Sequence, residues 1–580
     1  MKKFIYGVAA LATFLLFITA CGEDVSSKVS FEKKIDILAS FGFDVNKTKA
    51  DNENSSYILT IKDSKMATIS LLSMANMATL DPEMQQMVAI AINGAKVGID
   101  VDWTKYTKSS EGSVLVYFMG TGRDNTAIET LIAAKKIGAY LTFDAKETLV
   151  KVRFNDIDEK ISKGTEIVHI YLKGAEIDVK KAATKESPSR EFTIKGGEFR
   201  YEIEQNGSKE LVVSYTNPVC NVVKSNDYLG KQSCSFPAIQ IDGKGVSQSI
   251  SILFKDSSFS YDTTVHNKKL KSDILFQIPN INIKGKDRNN SFVTNLKDLK
   301  MSGFSDNVDE EIIKALYELA SKPSVDTNKT LEESMKLVGE MFSNGIVFDY
   351  KVSLALLDGT HVSNSDSMQF AMQGYQGEGK ASFDKTINYK VKSTVKSINV
   401  NKKSTGVPIF AMQNFRFGYE IKDMYNFLPT FMEFATIINK AVDQENPITK
   451  EAEEKMSSMG MRIVNDGFGL SLSPIGVDSV SIDKEGKETK YGQLDFNINA
   501  KLGKNSVKLD NPMSAMALLA FLQADGRLVL SKADLDQMSN QFPPPLMAMV
   551  MMYAKYEGDK VIFVLKFENG HLKVNDKPVM

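Results

Sequence analysis

EFRYEIEQNGSKELVVSYT, residues Glu198 to Thr216, reads as two strands joined by a turn. Polar and apolar side chains alternate in both arms, the period-2 pattern of a strand with one face packed and the other wet. Asn206-Gly207 supplies the turn between them. The same alternation recurs in TLVKVRF and EIVHIYL before this stretch and in ISILFK, DILFQI and INIKG after it, with further turn signals at Asp242-Gly243 and Asn289-Asn290. From about Tyr140 to Met301 these pieces describe a long antiparallel meander.

Working outward, strands are expected at Tyr57–Lys62, Val97–Trp103 and Val114–Met119. Met66–Lys96 reads as a Met-rich helix whose second half opens at Asp81-Pro82, and Asn125–Ile137 as a shorter one. On the C-terminal side, helices are expected at Asp306–Ser321 (capped by Ser305 or Asp306), Thr330–Ser343, Met424–Val442, Lys450–Val464, Met513–Leu522 and Leu546–Lys555. Strands are expected at Val347–Leu357, Gln369–Met372, Lys380–Val400, Phe415–Ile421, Gly469–Ser473 and Gln493–Lys501. A unit of helix, Asn or Asp, Gly, then strand recurs at Asn344-Gly345, Asp466-Gly467 and Asp525-Gly526, where glycine closes a helix and turns the chain. Asn569-Gly570 suits a type I′ turn in a terminal hairpin. The fold expected is α+β: extended antiparallel β-sheet meanders with amphipathic helices packed on one face. The expected divisions are a signal peptide (1–20), a lipidated cysteine and tether (21–30), an N-terminal mainly β region with the Met-rich helix (31–303) and a C-terminal α+β region (304–580).

Composition narrows the function. The 580 residues are 43% hydrophobic, enough for a large core, and 71 basic residues balance 72 acidic ones. With no dominant basic face, nucleic acid is not the expected partner. One Trp and four His leave little for metal or base-stacking chemistry.

The N-terminus carries an address. Lys2 and Lys3 precede a 17-residue apolar run, Phe4 to Ala20, that ends in Ile18-Thr19-Ala20-Cys21. A basic start, a short apolar segment and small residues before a cut describe a secretory signal, and Cys21 in that position reads as a lipobox, the site of lipid attachment. An uncleaved transmembrane anchor is the alternative, at the short limit of spanning length. Lipidated Cys21 would tether the chain to the cell envelope, in the outer membrane facing the periplasm. Cys220 and Cys234 remain, 14 apart in a turn-rich segment of an exported chain, which suggests a disulfide. Two buried thiols are the alternative, and a metal pair lacks neighbouring His or Cys.

Catalytic patterns are hard to find. HExxH, GxSxG and Walker sequences are absent, and Gly120-Thr121-Gly122 and Gly243-Lys244-Gly245 lack full glycine-motif spacing. Ser30 and Lys33 match SxxK without a downstream SDN or KTG. His169, His266, His361 and His571 stand alone in sequence. Asp306, Asp309, Glu310 and Glu311 lack the alternating ligands and glycine of a calcium loop. Met456–Met461, Met513–Met516 and Met547–Met552 read as core or partner surface, soft enough to hold a lipid or protein client. No catalytic residue, metal site or cofactor is expected.

Several pieces in order resemble the YdgA-like family of proteobacterial envelope proteins. They are the GGEF-like strand start Gly196–Phe199, LKDLKMSG at Leu296–Gly303, Gly469–Pro474 with GQLDFNINAKL from Gly492, and the terminal LKFENGHLKVNDKPV. The GGEF tetrapeptide is here a strand start and not a cyclase signature. The resemblance spans roughly Gly196 to Val579 and implies an exported, sheet-rich envelope protein with no catalytic residues to carry over. Many members look anchored by an N-terminal helix, whereas this chain has a lipobox. The function expected is that of an exported bacterial lipoprotein with a non-catalytic binding or scaffolding role in the envelope, partnered by the membrane through Cys21 and by an envelope protein. The alternative is a carrier of a lipid or other hydrophobic ligand in an apolar groove.

Overall fold

The structure, a computed structural model, describes residues 28–64, 67, 94–120, 135–146, 148–181, 189–226, 228–321, 327–363, 367–384, 386–402, 408–425, 430, 433–434, 450–482, 488–508, 516–539 and 543–579. The signal and Cys21 therefore lie outside the described residues, as do nearly all of the expected Met-rich helix 66–96, most of helix 125–137 and most of helix 424–442. Among the described residues strands make up 67% and helices 17%, and the strands are mostly antiparallel. Two compact units divide it, Met1–Thr264 with Ile313–Thr330, and Val265–Ile312 with Leu331–Met580. The expected boundary at 303/304 falls instead inside a continuous strand.

In the first unit, helix α1 (Lys28–Ile37) leads into β1 (Phe43–Ala50) and β2 (Asn54–Ile61). β3 (Lys96–Asp102), the short helix α2 (Trp103–Thr107), β4 (Val114–Gly120), β5 (Gly138–Phe143) and β6 (Leu149–Phe154) follow. Each of these six strands pairs antiparallel with the next. Next come β7 (Ile157–Lys163), β8 (Glu166–Lys173), β9 (Glu176–Lys181), β10 (Arg190–Lys195), β11 (Glu198–Gln205), β12 (Ser208–Thr216), β13 (Val219–Lys224), the long β14 (Gly230–Lys244) and β15 (Ser249–His266). Here the sheet forks. One branch runs β6–β9–β10–β13 and the other β7–β8–β11–β12, and the two meet on β14, whose first half pairs with β13 and second half with β12.

β11 and β12 form the expected hairpin, with Asn206 and Gly207 both at positive φ (+51° and +77°). Asp242-Gly243, expected as a turn, lies within β14, because β12 and β15 pair with it on both sides. The core gathers Phe31, Ile35 and Leu38, each at most 2% exposed, with the inward residues of β1–β8. Their spacing of i, i+4, i+7 is a helix stripe, and it draws Lys28–Ser30, expected as tether, into α1. Phe31 meets Trp103 and Tyr106 edge-on at 5.8 and 5.7 Å, and the buried Trp103 indole donates to Ser55 Oγ at 2.9 Å.

The second unit is a meander of long strands: β16 (Lys269–Lys286), β17 (Asn290–Asp309), β18 (Ile346–Ser363), β19 (Ser367–Phe383), β20 (Thr386–Lys402), β21 (Pro408–Tyr425), β22 (Phe468–Ile482), β23 (Glu488–Leu502), β24 (Leu522–Ser531), β25 (Lys555–Glu557), β26 (Lys560–Glu568) and β27 (His571–Val574). β16 to β24 pair in order, and β26 follows β24. At roughly 3.3 Å per residue the 17- and 18-residue strands are about 55–60 Å long. Helix α3 (Glu310–Ser321) belongs to the first unit from Ile313 onward, and α4 (Thr327–Ser343) to the second from Leu331; Lys450–Asp466 (α5), Lys532–Ser539 (α6) and Pro544–Tyr553 (α7) lie within the second. Among the described residues no helix is long and apolar enough to cross a membrane.

Several expected boundaries move, for one reason: strand pairing outweighs local signals. α3 starts at Glu310 and not at Asp306, because β17 stays paired with β16 as far as Asp309; Asp309 Oδ1 then accepts the Glu311 N–H at 3.0 Å. Asp525-Gly526 closes no helix; both residues sit inside β24, paired to β23 and β26. Lys380–Val400 is two strands, turned at Asp384, whose Oδ1 accepts the Thr386 N–H at 2.8 Å. Gly345 and Gly467 do close helices, at φ +83° and +78°.

Candidate ligand-binding face

In the second unit, the apolar side chains of β16–β21 share one face. On β17 they are Phe292, Leu296, Leu299 and Met301; on β19, Met368, Phe370, Met372 and Tyr375; on β21, Phe410, Met412, Phe415 and Phe417, joined through the cross-strand registers. The other face is polar. Asn282, Asn295 and Asp358 are hydrogen-bonded in series across three strands (2.5 and 3.2 Å), and Lys351, Glu378 and Lys392 oppose one another in one row.

The alternation slips by one residue along a single row. Apolar positions there step by three: Ile278 to Ile281, Leu296 to Leu299, Leu354 to Leu357, Met372 to Tyr375, Val395 to Ile398 and Met412 to Phe415. In that row Asp298, Gly374 and Asn414, on alternate strands, take φ of +55°, +65° and +52°. The ladders break there and resume in the same register. A left-handed residue in mid-strand adds a position, as a bulge does, and Asp, Asn and Gly are the types that tolerate it. Because all six strands slip together, pairing survives and the apolar residues before and after the row keep to one side. Ile278, Ile281, Leu354 and Val395, beside this row, are 5–8% exposed.

Aromatic rings lie over glycines on the same face. Phe292 opposes Gly285, Phe370 opposes Gly359, and Tyr350 opposes Gly379. In each pair a Cβ on the glycine would run into the ring across the ladder. The missing side chain is thus filled by a neighbouring ring lying flat, the device known to compensate strand glycines. For Gly359 the added Cβ would press first on the Val293 carbonyl oxygen and then sit 2.7 Å from Phe370 Cζ. Gly359→Val is therefore expected to push against the neighbouring strand as well as lift Phe370, and to cost about 1–3 kcal/mol, read as a lower urea midpoint with an unchanged slope.

Much of this face is open. Ile274, Met301, Met368 and Phe410 are 40–46% exposed, and Phe292 and Tyr350 nearly as much. Eleven rows by six strands is about 35 by 24 Å, a footprint of order 800 Å² that takes in the buried middle row as well as the half-exposed apolar side chains toward its two ends. Tyr350 and Tyr389 bring their hydroxyls to 3.4 Å; that hydrogen bond, then burial, pushes the Tyr350 phenol up to about 12.

The cysteines expected to pair lie opposite each other on β13 and β14, Cα atoms 4.0 Å apart, with their sulfurs joined. The histidines lie in different strands. His361 sits on the apolar face between Phe292 and Met368. In the first unit, His169 lies on the polar face of β8, its Nε2 2.7 Å from Asp158 Oδ1 and its Nδ1 3.4 Å from Glu202 Oε2. Asp306 is within β17 and Asp309 caps α3, so the acidic cluster is split between two elements.

Glu202 is the hub of the polar patch around His169. It accepts from Lys209 at 2.7 Å and pairs with Arg200 and His169 while only 8% exposed. Burial pulls its pKa up, but the hydrogen bond from Lys209, the charge of Arg200 and the contact with His169 outweigh this and hold it below its ordinary 4.5. Its stabilising contribution is full above that value and disappears as pH falls through the lower folded one. Glu202→Gln is expected to cost about 1–3 kcal/mol at neutral pH and progressively less as pH falls below the lowered folded value, where the native carboxyl is also protonated; urea titrations across the acid range measure the difference.

No known protein family matches the sequence, and no curated protein or solved structure matches it either.

Proposed function

We propose that the chain is an exported lipoprotein of the bacterial cell envelope that acts without catalysis, binding a lipid or other hydrophobic ligand along the apolar face of β16–β21. The observation that carries this reading is the exposure of Ile274, Met301, Met368 and Phe410 on one continuous sheet face. Such a surface is unfavourable in water unless something covers it. The surface proposed here is an open sheet face, where the sequence reading placed the ligand in an apolar groove.

In this reading Cys21 carries the lipid anchor, the protein sits in the outer membrane facing the periplasm, and Cys220–Cys234 suits that oxidising compartment. The resemblance to YdgA-like proteins read in the sequence belongs to the same proposal. In this reading helices flank the same side of the sheet: Phe342 of α4 meets Phe348 and Phe383 (ring centroids 6.2 and 4.9 Å), and Leu535 and Met547 join Leu530, Val561 and Phe563 of β24 and β26. A second reading, a scaffold for an envelope protein, is favoured by the exposed Met549, Met551 and Met552 of α7.

Mass spectrometry of the full chain, purified in a mild detergent, separates the two. Acyl lipid retained at about one per chain, displaced by a fluorescent fatty acid, is the result expected. A lipid-free chain that ignores the fatty acid would overturn the carrier reading.

A further inference from the structure

We infer that the polar face of the second unit holds a binding site for a phosphomonoester. A pocket of about 270 Å³ opens there, lined by Ser473, Asp495, Asn497, Arg527, Val529 and Lys560 among others. The cross-strand registers set Arg527 beside Asn497 and Asp495 beside Val529, so these side chains share the face turned away from Phe496, Leu528 and Phe563. The site is thus on the opposite side of the sheet from the proposed hydrophobic-ligand face and does not depend on it.

Its charges do not cancel internally. Asp495 is engaged by Arg416 at 2.6 Å and by the Gln493 amide at 2.6 Å. The Arg416–Asp495 pair crosses directly over Gly476, where a Cβ would lie 2.6 Å from Arg416 Nη2 and from Asp495 Oδ1. Asp495 is therefore held by a cation outside the pocket lining. Glu557, which feels the charge of both Arg527 and Lys560, is paired with Lys555 at 2.9 Å. Arg527 and Lys560 themselves make no ion pair or side-chain hydrogen bond among the described residues, and neither do Ser473 Oγ and the Asn497 amide.

Two uncompensated cations facing one concavity call for a dianion. A guanidinium fork and an ammonium are the side chains that grip phosphate oxygens. The volume leaves room for the esterified group, with Ser473 and Asn497 as its hydrogen-bond partners. A soluble phosphate ester and a phospholipid headgroup share this chemistry.

The full chain in detergent can be titrated with glycerol 3-phosphate and, separately, with dihexanoyl phosphatidic acid, using glycerol and dihexanoyl phosphatidylcholine as references. Saturable binding of either phosphomonoester, weakened at least about tenfold by Arg527→Gln and by Lys560→Gln and by raised salt, is expected. Binding of the soluble ester identifies a soluble ligand, and binding of the short-chain lipid alone identifies a headgroup. Equal affinity in wild type and both variants, or no binding of either phosphomonoester, overturns the site. Arg527 and Lys560 are exposed, so both variants should keep the wild-type circular dichroism. Both should also keep fatty-acid binding on the apolar face, so failure of this site and failure of the carrier reading are told apart.

Discussion

A chain carrying Ile274→Glu, Met301→Glu and Phe410→Glu is expected to bind a fluorescent fatty acid about a hundredfold more weakly than wild type while keeping its β-sheet circular dichroism. Each of these side chains is 43–46% exposed, so covering the remainder with a ligand recovers on the order of 1 kcal/mol per residue. Three such losses amount to about 3 kcal/mol, near two decades in affinity. A carboxylate at each site adds a desolvation cost to any ligand that still docks. The sheet should tolerate the changes, because half-exposed positions contribute little to folding compared with the buried Ile278, Ile281, Leu354 and Val395 of β16, β18 and β20. Lys300→Glu and Lys351→Glu, on the polar face, serve as controls and should leave affinity unchanged. Equal affinity in the triple variant would show that the face is not where the ligand sits.

The prediction turns on a surface that period-2 reading finds only in pieces. DILFQI and INIKG alternate correctly, yet they read as two strands because the apolar positions step by three between Ile278 and Ile281. The same step between Met372 and Tyr375 cuts β19 short at Met372, and between Met412 and Phe415 it delays the apparent start of β21. The step is visible in each strand. What is not visible is that all six fall in one row, since that depends on pairing between residues up to 63 positions apart, as in the Asn295–Asp358 contact. Read singly, a slip looks like the end of a strand; read together, the slips are how 17- to 20-residue strands hold one apolar face.

The ring-over-glycine pairs were hidden for the same reason. Gly285, Gly359 and Gly379 look like strand breakers in sequence, and only the register reveals an aromatic residue facing each of them. Local turn chemistry was dependable where no partner strand competed, as at Asn206-Gly207 and Asn569-Gly570, both with positive φ at each residue. It misled at Asp242-Gly243 and Asp525-Gly526, which have neighbours on both sides. Helix α1 shows the complementary case: Phe31, Ile35 and Leu38 carry a clear stripe, but charged residues between them mask it until the sheet that receives the stripe is known.

Cys21→Ala is expected to move the protein from the membrane pellet to the soluble fraction and to leave its apparent mass at that of the unprocessed precursor or a differently cut form. A lipidated cysteine would hold the chain through acyl methylenes worth about 0.8 kcal/mol each, and more than one chain makes the attachment effectively permanent. Among the described residues no helix is long and apolar enough to cross a bilayer. The variant also isolates the two uses of lipid proposed for this protein. An anchor holds a membrane at one end of the chain, whereas the apolar face holds a single ligand on the sheet. The released Cys21→Ala chain should therefore still bind the fluorescent fatty acid with wild-type affinity. If it instead stays in the pellet and is processed normally, the segment Phe4–Ala20 is an anchor in its own right and the lipobox reading fails, while the binding face stands on its own measurement.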